Sequence, residues 1–167
     1  VLLACLCLAG GGCWSSDEPD NLAYVLAVGI DKGEENRLKV TYLIANSKEI
    51  GTGAEAGDAS QKSLVTSIET PSIYVSLNTV NTYIGRKLTL MHAKIIISSE
   101  EAARSGLMGS FVPAMGQFRE VRGTMFIGVT KGKAADRISA IKPILETTPA
   151  KYIELVAGSG VYTGFIP

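Results

Sequence analysis

Residues 22–32, Leu-Ala-Tyr-Val-Leu-Ala-Val-Gly-Ile-Asp-Lys, form an almost unbroken apolar run. Such a run, bounded by a polar stretch before it and a turn after it, has the pattern of a strand covered on both faces. Gly33 to Asn36 supply the turn, and in residues 37–45 Leu38, Val40 and Tyr42 alternate with other residues so that they share one face. The two segments predict an antiparallel hairpin, with the first strand central and the second nearer an edge. The remaining elements must be arranged around that hairpin.

Residues 46–61 turn polar and glycine-rich, with Gly51, Gly53 and Gly57, and read as a loop. Residues 62–69 resume as a strand, with Leu64, Thr66 and Ile68 alternating. Thr70-Pro71 predicts a helix start, with Thr at the N-cap and Pro at the first helical position. Ile73, Leu77, Val80 and Ile84 then form one apolar stripe, and Gly85 ends it. Residues 88–97 read as a single central strand closing on Ile95-Ile96-Ile97. Ser98 and Glu101 have capping-box spacing and open a short helix that Gly106 ends. Leu107, Phe111, Met115 and Phe118 give a second stripe, interrupted by Pro113. Residues 123–130 predict another buried strand, residues 133–140 a short helix with Ala134, Ile138 and Ile141 inward, and the segment from Pro149 through Val156 a last helix. The order β-β-β-α-β-α-β-α predicts an α+β fold: a mixed β-sheet, begun by an antiparallel hairpin, with helices packed on it.

The beginning of the chain points outside the cytoplasm. Val1 to Ala9 are apolar, Gly10-Gly11-Gly12-Cys13-Trp14 follow, and the chain turns polar at Ser15. The apolar run is shorter than the roughly 20 residues needed to span a bilayer, but suits the core of an export signal. Small residues before a cysteine predict a lipid-attachment site at Cys13, carrying acyl chains such as palmitate. Leu2-Leu3-Ala4-Cys5 fits the lipobox better locally, so Cys5 competes with Cys13. The expected organisation is a signal peptide over 1–12, truncated at its start, an anchor and linker over 13–21, and one folded domain over 22–167. All three cysteines lie at or before position 13, so the folded body has neither a disulfide nor a cysteine metal site. With 16 basic and 16 acidic residues there is no overall excess to suggest nucleic-acid binding, and no polybasic block along the sequence to suggest electrostatic docking to anionic lipid.

No catalytic set stands out, and no enzyme, metal or cofactor is expected. His92, the single histidine, reads as a hydrogen-bonded structural residue on a strand. Gly128-Val-Thr-Lys-Gly132-Lys133-Ala134 lies between a strand and a helix, as a phosphate loop would. It is one residue short, however, and Ala134 replaces the magnesium-binding hydroxyl, so it reads as a plain turn. Glu34-Glu35 and Glu100-Glu101 read as a solvated turn and a helix start.

Several segments together resemble one family. Gly12-Cys13-Trp14 is followed by Asn21-Leu22-Ala23 and Val28-Gly29-Ile30-Asp31-Lys32. Leu90-Met91-His92-Ala93-Lys94-Ile95-Ile96-Ile97, Glu100-Glu101-Ala102-Ala103-Arg104-Ser105-Gly106-Leu107 and Val129-Thr130-Lys131-Gly132-Lys133-Ala134 come after them. In this order the segments resemble the N-terminal domain of the Ger(x)C spore germination lipoproteins, the C subunits of nutrient germinant receptors. The glycines before Cys13, Ser15-Ser16 and the Arg119–Arg122 stretch depart from the family pattern. The resemblance implies a non-enzymatic subunit, lipid-anchored on the outer face of the spore inner membrane. Its partners would be the integral-membrane A and B receptor subunits, to which germinant binding is generally assigned. Family members carry further domains, so the chain is expected to be a fragment, with a shortened relative as the other possibility. An extracytoplasmic solute-binding lipoprotein is the alternative function. An exported hydrolase using His92 or a carboxylate pair is a third.

Overall fold

The eleven-residue apolar run becomes β1 (Leu22–Lys32), the middle strand of a six-stranded mixed sheet. The computed structural model describes residues 18–35, 37–46, 63–141 and 149–159. β2 (Leu38–Ala45) pairs antiparallel with β1, and β3 (Ser63–Thr70) pairs antiparallel with β2. On the other side of β1, β4 (Lys87–Thr89) pairs parallel with its beginning and β5 (Ile95–Ser99) parallel with its later half. β6 (Phe126–Thr130) extends the sheet parallel to β5. The strand order is β3-β2-β1-β5-β6, which bears out the α+β class, the initial hairpin and the central place of β1.

β1 is buried on both sides because helices cover both faces. α1 (Ile73–Ile84), α2 (Glu100–Arg104) and α3 (Leu107–Gly116) pack on one face. Ile73, Leu77, Val80, Leu107, Phe111 and Met115 meet Val25, Val28, Ile30, Val40 and Tyr42 there. α4 (Ala134–Ser139) and α5 (Pro149–Gly158) cover the other face, where Ile138 and Ile153 meet Leu26, Ala27, Leu43 and Ile95. A bulge at Leu26 serves this two-sided burial. Val25 pairs with Ile44, but Ala27 pairs with Leu43, so one residue of β1 is extra. The larger core also holds a polar chain: the buried Tyr42 hydroxyl bonds Ser76 Oγ, which donates to the Ile73 carbonyl at 2.7 Å. Burial pushes the Tyr42 phenol above its ordinary range.

Some boundaries differ from the sequence reading, each for a local reason. Thr70 is still in β3, paired with Leu38, so α1 is capped by Ser72, whose Oγ accepts from the Val75 N–H. Ser98 is held in the sheet between Ile30 and Val129, which moves the next cap to Ser99. The expected strand over 88–97 is two strands. Thr89 Oγ1 donates to Glu120 at 2.7 Å, the Leu90 N–H donates to the same oxygen, and a turn at Met91-His92 separates β4 from β5. α3 runs through Pro113 and stops at Gly116, so Phe118 packs on the core from beyond its end. The strand expected to be buried over 123–130 is shorter, and it is exposed: Ile127 and Val129 are 53% and 62% accessible. Among the described residues β6 has β5 as its neighbour and nothing on the other side. No helix of the described residues is long and apolar enough to cross a membrane. Cys5 and Cys13, the expected attachment sites, lie outside the described residues.

Candidate functional site

Two of the segments that carry the family resemblance meet at the carboxyl end of the sheet. Gly29 and Asp31 sit two residues apart on β1 and so face the same side, toward α4. A Cβ at Gly29 would lie 3.1 Å from Ile138 Cγ1 and 3.3 Å from Thr41 Cβ. The glycine therefore lets α4 approach the sheet closely. Asp31 then closes the contact. Its Oδ1 accepts the Ala134 N–H at 2.8 Å and its Oδ2 accepts the Ala135 N–H at 2.9 Å. These are backbone donors that a helix start leaves without intrahelical partners. Lys133, at the N-cap position, supplies no side-chain cap, so a residue 103 positions away does the capping. Asp31 is buried, and its charge also suits the positive end of the helix.

This arrangement gives a geometric reason for reading Gly128–Ala134 as a turn. The amides that would cradle a phosphate are taken by Asp31. Gly132 has φ +80°, the left-handed conformation that glycine adopts without strain, and turns the chain from β6 into α4.

Where β1, β5 and β6 end, a cleft of about 880 Å³ opens between the β1–β2 turn, the start of α2 and the β6–α4 turn. Helices leave to opposite faces on either side of it: α2 follows β5 and α4 follows β6. Open sheets with parallel strands commonly bind ligands at such a place. Here four of the eight charged side chains that line it pair with one another. Lys32 Nζ lies 3.2 Å from Glu101, and Arg104 binds Glu100 through Nε at 3.0 Å and Nη2 at 2.7 Å. That hydrogen-bonded Arg104 charge holds the Glu100 carboxyl below its ordinary value. The Glu34 N–H donates to Glu69, tying the hairpin turn to β3.

His92 departs from its expected setting. It sits in the exposed turn between β4 and β5 rather than on a strand, edge-on to Tyr24 with ring centroids 4.9 Å apart. The Glu100-Glu101 pair points its carboxylates at two different cations rather than at a shared proton. No group of three or more His, Cys, Asp or Glu side chains among the described residues could hold a metal ion. The sequence reading missed the capping role of Asp31 and the part that Glu120 plays. For Asp31 a signal existed: an acidic residue inside a run otherwise fit for full burial must find donors.

A sheet built on an initial hairpin, with a buried strand carboxylate docking a later helix, defines the class. The chain belongs to the family described as the spore germination protein N-terminal domain, whose model matches residues 15–167. The match bears out the resemblance carried by the motifs. Among its relatives in Bacillus subtilis (strain 168), the putative spore germination protein YfkR is 29% identical over 160 residues, 94% of this chain and 41% of that protein. Spore germination protein KC is 26% identical over 136 residues, 80% of this chain and 33% of that protein. Spore germination protein YndF is 24% identical over 163 residues, 83% of this chain and 40% of that protein. The chain thus spans between 33% and 41% of the length of these relatives. No solved structure matches.

Proposed function

We propose that this chain is the N-terminal part of a lipid-anchored subunit of a spore nutrient germinant receptor, working by protein–protein contact rather than by catalysis. The observation that carries the reading is the family match over residues 15–167, with relatives that are spore germination proteins. The Gly12-Cys13-Trp14 segment, at the boundary between an apolar run and a polar one, supplies the anchor. The placement of the motif residues fits a non-catalytic role, because Gly29 and Asp31 serve the docking of α4. In this reading the folded domain stands on the outer face of the spore inner membrane, beside the integral-membrane A and B subunits.

The test is the fate of the protein in spores when Cys13 is replaced by Ala, with Cys5→Ala and the double variant beside it. Loss of the protein from the membrane fraction and slower nutrient-triggered germination in the Cys13→Ala strain are expected. If the double variant still incorporates labelled palmitate as the unaltered protein does, the lipid anchor is wrong. If it is released while germination is unchanged, the receptor role is wrong.

A further inference from the structure

We propose that the amino end of the sheet is a second membrane contact, which docks on the headgroups of anionic lipid. The proposal rests on the lipid-anchored reading above and deepens it. At this end Phe126 begins β6, the Met91-His92 turn precedes β5, and α5 crosses alongside. Together they form a groove of about 470 Å³. Met91, Phe126 and Leu155 line it and are 41%, 40% and 41% accessible. Three large, partly exposed apolar side chains thus share one groove.

The charges around the groove select what covers it. Lys94, Arg122 and Lys151 line it with Glu154. Lys94 Nζ pairs with Glu154 at 3.4 Å. Arg122 and Lys151 are exposed and face no acidic partner among the described residues. The groove is therefore cationic, although the whole chain has no net charge. Apolar side chains ringed by free cations match an interface of acyl chains below anionic headgroups.

The path of the chain puts this end next to the bilayer. The Tyr24 hydroxyl reaches the Pro19 carbonyl at 3.5 Å, and the Tyr24 ring meets His92, the neighbour of Met91. The described chain thus begins, at Glu18, on the side of the domain that carries the groove. Glu18 lies five positions after Cys13, and an extended chain over that span reaches at most roughly 17 Å. An acyl group on Cys13 would hold the groove at the lipid surface at high effective concentration, so a weak affinity suffices.

The experiment uses the full chain with Cys5→Ala and Cys13→Ala, so that acylation plays no part. It reads the ratio of binding to phosphatidylcholine vesicles with and without phosphatidylglycerol. Any insertion of the apolar leader contributes to both and cancels in the ratio. The expected result is a preference for the anionic vesicles that falls with added salt. Arg122→Glu/Lys151→Glu should reduce it by at least about tenfold, since each cation near an anionic surface is worth about fivefold in partition. Lys39→Glu/Lys133→Glu makes the same charge change at the opposite end and should spare most of the preference. Circular dichroism and a melting curve establish that both variants fold. No preference for anionic vesicles, or equal losses in the two double variants, would overturn the proposal. So would binding to an acidic polypeptide such as polyglutamate without binding to the vesicles, which would assign the groove to a protein partner. Because acylation is absent, these outcomes leave the anchor itself to be judged by palmitate incorporation at Cys13 in spores.

Discussion

The two ends of the sheet use charge in opposite ways. At the carboxyl end, Asp31 is taken up by the amides of α4, Lys32 by Glu101 and Arg104 by Glu100. At the amino end, Arg122 and Lys151 have no acidic partner among the described residues and stand beside Met91, Phe126 and Leu155. A cleft at the carboxyl ends of parallel strands is the usual place to look for function, but here Asp31, Lys32, Glu100, Glu101 and Arg104 are engaged within the fold, which leaves Lys39 and Lys133 as its unpaired cations among the described residues. The end that position alone would pass over is the one where unpaired cations stand beside exposed apolar side chains. Location in a fold is thus a weaker guide than whether a charged group already has its partner.

The largest effect that could break this contrast is expected at Asp31. Asp31→Ala leaves two helix-start amides without their charged acceptor, and should lower the stability of the domain by roughly 3 kcal/mol. Denaturant titration measures it, and Asp31→Asn, which keeps one oxygen acceptor, should lose less. A loss below about 1 kcal/mol, the value of an ordinary hydrogen bond, would mean that the carboxyl end is not structural after all. Gly29→Ala comes next. The added methyl meets Ile138 and Thr41 at 3.1 and 3.3 Å, so over-packing of about 1–3 kcal/mol is expected. A normal melting temperature for this variant would show that α4 can move away from the sheet. The smallest effect belongs to Lys32→Ala. Its partner Glu101 is 72% exposed, and an exposed pair of this kind is worth about 0–1 kcal/mol. A larger loss would mean that the cleft charges act as a network, and would sharpen the contrast between the ends.

Much of the fold was legible in the sequence because periodicity reports burial. The hairpin of β1 and β2, the stripe of α1 and the inward residues Ala134 and Ile138 of α4 follow directly from it. The errors arose where a partner distant in sequence decides the outcome. Leu90-Met91-His92 reads as a continuing strand until Glu120 is seen to hold Thr89 and Leu90. The apolar sequence of β6 reads as buried, because composition does not reveal that a strand is last in the order. Of the carboxyl end, the sequence showed the segments but not that Asp31 and Ala134 touch. Of the amino end it showed nothing, since Met91, Phe126 and Leu155 lie in three different elements.

The cap that Asp31 places on α4 also bears on the order in which the molecule assembles. Six residues are too few for a helix to persist alone in water. Its start is completed by a strand 103 residues earlier, after the rest of the sheet and the helices of the opposite face. Closing so long a loop is among the slow steps of folding. During synthesis β1 therefore carries an unmatched carboxylate until the chain beyond Ala135 has emerged. The same residue that fixes the finished domain is exposed as a vacancy in every shorter intermediate, and completion of the domain can be read from the protection of two amides.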